Sequence, residues 1–289
     1  MTEPLPVLKT TNAVGSALVE AEWRRLAAQP VRAASPTELV FHAWMMDWST
    51  PDDLENARAL CEKAEHLDPA LAAPLWCQAT VISAELDHGP NPLHAQLKKQ
   101  ADDFSRRAVE LSENNAAVWV VRAQALRWQF QWEAAHEALS RAIQLDPSSM
   151  NALVMNALLS IWTGRPEEAF PLLARAADIA PSAVGEIQRR ACRAYLALGR
   201  YDEAVVSCER AASVDGHWAL QTFLAVAYAQ KGDAEKAAAA RSRALMRKPE
   251  VTLAWFKAYA MQTSDNRQYQ EQLDKYLIPG LRKAGFPEK

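Results

Sequence analysis

Residues 135–147 read AHEALSRAIQLDP, and the chain repeats this pattern. Its fixed columns are alanine, six residues, alanine, two residues, leucine or isoleucine, one residue, proline. The same columns hold Ala57, Ala64, Leu67 and Pro69, and again Ala169, Ala176, Ile179 and Pro181. Ala237, Ala244 and Pro249 form a partial copy. Ala101, Ala108 and Leu111, and Ala204, Ala211 and Val214, form two more that lack the proline. The leading alanines lie 44, 34, 34, 35 and 33 residues apart. A near-constant period of this size marks a stack of small supersecondary units. Alanines seven apart share one helix face, and their small side chains let two backbones approach there.

Other columns agree. Gly164, Gly199 and Gly232 each stand five residues before a leading alanine, where a turn between two helices belongs. Upstream, each unit carries a large residue, a small one and an aromatic or aliphatic one, as in Trp119, Ala123 and Leu126. The chain holds 55 alanines against 9 glycines, a bias toward helix. Period and columns resemble the tetratricopeptide repeat family over residues 38–249. The resemblance implies an all-α, right-handed superhelical solenoid of about six helix-turn-helix repeats. Residues 1–37 are expected as an N-terminal arm and capping helix, helical over 13–30. Residues 250–289 are expected as C-terminal capping helices. The second of these, over 266–284, is broken or kinked at Pro279 and covers the last repeat with Tyr269, Leu273, Tyr276, Leu277 and Leu281.

The 44-residue gap puts an insertion near residues 87–96 (DHGPNPLHAQ), which reads as a long solvated turn. His88 and His94 within it have no cysteine or carboxylate cluster beside them, so metal binding is not expected.

Composition excludes several function classes. Apolar residues make up 49% and charged residues 23%, as in a folded globular chain rather than a disordered one. The net charge of −3 lacks the basic excess of a general nucleic-acid binder, so no nucleic-acid partner is expected. Residues 1–10 lack the apolar core of a signal peptide, and no apolar run is long enough to span a bilayer. The reading is a cytoplasmic protein with four reduced cysteines, Cys61, Cys77, Cys192 and Cys208, serving as core packing.

The flanks extend the resemblance. Residues 17–24 (ALVEAEWR), 35–44 (SPTELVFHAW), 50–54 (TPDDL) and 280–289 (GLRKAGFPEK) are similar to the repeat region of bacterial class III adenylate/guanylate cyclases and of winged-helix transcriptional activators. That resemblance implies a regulatory or sensor module acting on a partner domain. It does not bring cyclase activity, because no catalytic or DNA-binding module accompanies it here.

No phosphate-binding loop, dinucleotide fingerprint, zinc-protease helix, nucleophile elbow or CxxC is present. Paired carboxylates such as Glu167 and Glu168 stand at the start of second helices, where they offset the helix dipole. The chain is therefore read as non-catalytic, without cofactor or metal. Projecting the first helix of each repeat gives a partner-binding groove of Trp76, Gln124, Arg127 and Asn151, continued by Leu158, Trp162, Arg189 and Arg193. Aromatics there anchor a peptide, and the arginines take carboxylates, so an acidic protein or peptide partner is expected. A homodimer is the alternative assembly.

Overall fold

The computed structural model describes residues 34–46, 48, 50–90, 92–214 and 216–289. The helix expected over residues 13–30 lies outside them. Every regular element among the described residues is helical. Repeat 1 pairs α1 (Pro36–Trp44) with α2 (Pro51–Leu67), and repeat 2 pairs α3 (Ala72–Asp87) with α4 (His94–Leu111). Repeat 3 pairs α5 (Ala116–Trp128) with α6 (Trp132–Leu145). Repeat 4 pairs α7 (Met150–Trp162) with α8 (Ala169–Ile179), and repeat 5 pairs α9 (Val184–Ala197) with α10 (Tyr201–Ala212). Repeat 6 pairs α11 (Trp218–Lys231) with α12 (Ala234–Arg247). The fold is an all-α solenoid of helix-turn-helix repeats.

Local chemistry explains where these helices start. Ser35 accepts from the Glu38 N–H while the Glu38 carboxylate accepts from the Ser35 N–H, a closed capping box ahead of Pro36. Thr50 caps α2 through the Asp53 N–H, and Asp233 caps α12 through the Lys236 N–H. The alanine columns then do the packing. All twelve, from Ala57 and Ala64 to Ala237 and Ala244, are buried at 2% exposure or less. No longer side chain fits between backbones at such positions without displacing one of them.

The chain forms two compact units, the first ending at Ala152 and the second running from Leu153 to Lys289. In the first, Leu39, Leu54 and Val81 pack one core cluster, and Ile82, Leu86, Leu97 and Trp128 another. The expected long turn of the insertion is shortened by helix at both ends. Helix α3 continues to Asp87 and α4 opens at His94, so residues 88–93 suffice for the connection. His88 Nε2 lies 2.8 Å from the Trp48 carbonyl oxygen, and His94 sits edge-on to Trp128 with ring centroids 5.6 Å apart. The two histidines are therefore packed, while Pro90, Pro92, Leu93, Ala95 and Gln96 stay exposed.

In the second unit, α9 to α12 surround a core of Leu196, Leu220, Leu224 and Val226. Beyond repeat 6 come α13 (Leu253–Thr263), α14 (Arg267–Gln272), a π-helical turn (Leu273–Leu277) and α15 (Ile278–Lys283). The expected break at Pro279 appears just upstream as that π turn. Proline has no N–H to donate and its ring crowds the carbonyl four residues back, so the preceding turn widens.

The four cysteines are not the reduced thiols expected. Cys61 of α2 is bonded to Cys77 of α3, and Cys192 of α9 to Cys208 of α10. Each pair is separated by 16 residues, about the length that carries a chain along one helix, round a turn and back beside itself. The Cα atoms stand 5.8 and 5.1 Å apart, inside the range a disulfide spans.

Candidate functional site

The eight residues read as groove-lining have different fates. In the first unit, Trp76 is half-buried and meets Trp44 edge to face at 5.3 Å. Trp44 is 41% exposed and also contacts Trp48, so three indoles collect on one surface. Gln124 is half-buried and Asn151 is exposed at the start of α7. Arg127 does not line a surface. It is 1% exposed, donates to both carboxylate oxygens of Asp87 at 3.0 and 3.1 Å, and lies 3.8 Å from the centre of the Trp128 ring. The lateral packing of α5 on α3 brings Asp87 to it, which no single-helix projection shows.

In the second unit, Leu158 is buried in the core, a correction to its groove assignment. Arg189 and Arg190 both pair with Glu186, one turn earlier on α9. Burial alone would raise the Glu186 carboxyl, but the two guanidinium groups outweigh it and hold its pKa at about 2. Burial lowers Arg190 to about 10 despite the same carboxylate. The Arg189 charge expected to take a partner's carboxylate is therefore already compensated by Glu186. Spacings of three and four residues gave a signal for this pairing.

Trp162 and Arg193 do come together. The Arg193 guanidinium carbon lies 5.4 Å from the Trp162 ring centre and 5.8 Å from that of Phe223. The face they form is covered by the chain's own C-terminal segment rather than open. Ser264 Oγ donates to the Trp162 carbonyl at 2.7 Å, and Gln272 Nε2 donates to the Gly164 carbonyl at 2.9 Å. Arg193 Nη2 donates to Tyr269 Oη at 2.9 Å. Further along, Gln230 Nε2 donates to the Tyr276 carbonyl at 3.3 Å, and Lys283 Nζ to the Gln230 carbonyl at 3.4 Å. Gln268 packs on Gly164 and the Tyr276 ring on Gly199, so close that a Cβ on either glycine would meet them at 2.6 Å.

Segment residues 268, 276 and 283 thus touch the turn regions of repeats 4, 5 and 6 in order. Steps of seven or eight residues advance a helix by about 11–12 Å, close to the 8–10 Å between packed helix axes. The segment runs across the repeats, contacting each in turn. Tyr269, Leu277 and Leu281 are buried against the face, with Leu273 partly so. A strict four-residue spacing drifts around an ordinary α-helix; the wider π turn between Leu273 and Leu277 offsets that drift.

Among the described residues, no group of three or more histidine, cysteine or acidic side chains is placed to hold a metal ion. No helix among them is long and apolar enough to cross a membrane.

The tetratricopeptide repeat family model matches residues 190–217, the second half of α9 through α10. No curated protein sequence matches the chain. Among solved structures, the chain is similar to the human IFIT1 dimer solved with PPP-AAAA, with a TM-score of 0.65 and 18% identity over 94% of this chain and 67% of that one. It is similar to Pseudomonas aeruginosa pilF, with a TM-score of 0.52 and 17% identity over 83% and 97%. It also resembles the Cut9–Hcn1 structure of the APC/C, with a TM-score of 0.62 and 14% identity over 87% of this chain but 49% of that one. At these identities the likeness speaks to the fold. It bears on the repeat architecture and not on the finer resemblance to cyclase and activator regions.

Proposed function

We propose that the chain is a non-catalytic scaffold that binds a protein or peptide segment along the first-helix faces of its repeats. One observation carries the reading: in the second unit, that face already holds a helical segment, touching repeats 4, 5 and 6 in turn. A surface that accepts a helix from its own chain has the shape and hydrogen-bonding groups to accept one from a partner. In the first unit, Trp44, Trp48 and Trp76 supply partly exposed aromatic anchors of the kind that dominate binding energy.

Selection of displayed helical peptides on the immobilised chain tests this. Enriched peptides should bind in solution, and Trp76→Ala should weaken those seated on the first unit by at least tenfold, about 1.4 kcal/mol. A 5′-triphosphorylated RNA oligonucleotide, titrated in parallel, should bind only weakly and with no dependence on Trp76. Failure to enrich any peptide, or preferential binding of the RNA, would refute the scaffold reading.

A further inference from the structure

The C-terminal segment fits its face unevenly along its length. Residues 278–288 are anchored in the core. Ile278, Leu281 and Phe286 are almost fully buried, and Gly280 abuts Val226. The Pro287 and Glu288 carbonyls accept from the Leu253 and Ala254 N–H groups at 2.8 and 3.1 Å, supplying partners to the first turn of α13. Residues 264–277 combine buried side chains, Tyr269 and Leu277, with polar contacts: Ser264 to Trp162, Tyr269 to Arg193, Gln272 to Gly164. Beneath them lies a narrow apolar cavity lined by Arg193, Phe223, Phe256, Tyr259, Tyr269 and Leu273. The buried Gln272 Oε1 lacks a hydrogen-bond partner. A well-matched interior closes such gaps and pairs such atoms. The π turn Leu273–Leu277 closes the loosely fitted part and leads into the anchored one.

We infer that residues 264–277 are a latch that opens about the π turn and gives way to a partner's helix on the face formed by Trp162, Arg193 and Phe223. The inference rests on the scaffold reading and names the partner's chemistry. The occupant is an amphipathic helix with a carboxylate at the place of Tyr269 and apolar residues four and eight positions on, at the places of Leu273 and Leu277. Arg193 donates to a neutral phenol oxygen in the closed form. A carboxylate in that place gains a charge-assisted hydrogen bond, roughly twice as strong as a neutral one. The competing helix therefore wins by exchanging one acceptor for a better one on the same guanidinium. Apparent affinity is reduced by the fraction of chains whose latch is closed.

A labelled peptide of residues 264–277, titrated against the full-length chain, tests the inference. Full-length Y269A/Q272A, with a weakened latch, should bind it at least tenfold more tightly than the unaltered chain does. A peptide with Tyr269→Glu should bind more tightly than the native peptide, and one with Tyr269→Phe less tightly. Hydrogen exchange on the unaltered chain gives an independent reading, free of any folding defect in the variant. Amides of residues 267–277 should exchange well before those of α9 and α11. Equal peptide affinity for both chains, or latch amides exchanging only together with α11, would overturn the latch and leave the scaffold reading standing. A latch that exchanges early on a face that binds none of the peptides would overturn a partner's helix as its occupant, while the scaffold reading stands or falls by the displayed-peptide selection.

Discussion

Phe130 occupies the turn position that repeats 4, 5 and 6 fill with glycine. Its φ is 59°, against 76°, 69° and 87° at Gly164, Gly199 and Gly232. A side chain bearing a Cβ costs about 1–2 kcal/mol in this left-handed region. Glycine avoids that cost but loses about 0.5–1 kcal/mol more chain entropy on folding. Phe130→Gly and Phe130→Ala both remove the stack on Trp132, 5.7 Å between centroids, and the Lys98 ammonium 4.7 Å from the ring. The ring contacts therefore cancel in a comparison of the two variants, and the backbone remains. The glycine variant should be more stable than the alanine variant by roughly 0.5–1 kcal/mol. In ordinary helical backbone the order is reversed, with alanine favoured by about 1 kcal/mol. Urea denaturation followed by far-ultraviolet circular dichroism would measure the difference as a shift in midpoint at constant slope. Gly232→Ala is the companion variant, since a Cβ there meets nothing within 4 Å and only the backbone cost is felt. An alanine variant at 130 as stable as the glycine variant, or more so, would refute the strained-turn reasoning.

Replacing Cys192 and Cys208 together by serine should cost about 3 kcal/mol, the chain-entropy value for a loop of this length; thiol titration of the denatured, unreduced chain should find none, and equal stability with and without reductant would remove the cystines. Lowering the pH should erode stability between about 4.5 and 2, because Glu186 is held near 2 when folded against an ordinary value of 4.5. Its contribution is complete above pH 4.5 and is lost as the pH falls through 2, so Glu186→Gln should flatten that part of an acid-denaturation curve. Ala142→Leu and Ala176→Leu, each at a fully buried column position, should each cost about 1–3 kcal/mol and lower the melting temperature; unchanged melting in both would count against the repeat register.

What the sequence made legible was what a single repeat determines. Alanine spacing, turn glycines and capping residues act within a few turns of helix, and all twelve column alanines lie where the pattern places them. The Glu186 pairing was also local, and legible as an i,i+3 and i,i+4 charge pattern. Other features depend on contacts that no period encodes. Asp87 reaches Arg127 across 40 residues, and Ser264 reaches Trp162 across 102. Projecting a helix finds which side chains share a face but not what covers that face. For this reason a projection places Trp162 and Arg193 on one face, while it is silent on Tyr269 and Gln272, which lie above them. The cystines escaped for a related reason: an apolar column and a disulfide use the same buried small residue, and only the opposing helix tells them apart.

The separation of 102 residues between Ser264 and Trp162 also sets a clock during synthesis. A ribosome adds about 5–20 residues per second, so the indole leaves the peptidyl-transferase centre roughly 5–20 seconds before the residues that cover it exist. For that interval each newborn copy carries α7, α9 and, later, α11 without the segment that covers their face. Whatever competes with the latch in the finished protein meets no competitor on the nascent one. If the latch inference holds, assembly with a partner during translation avoids the opening step.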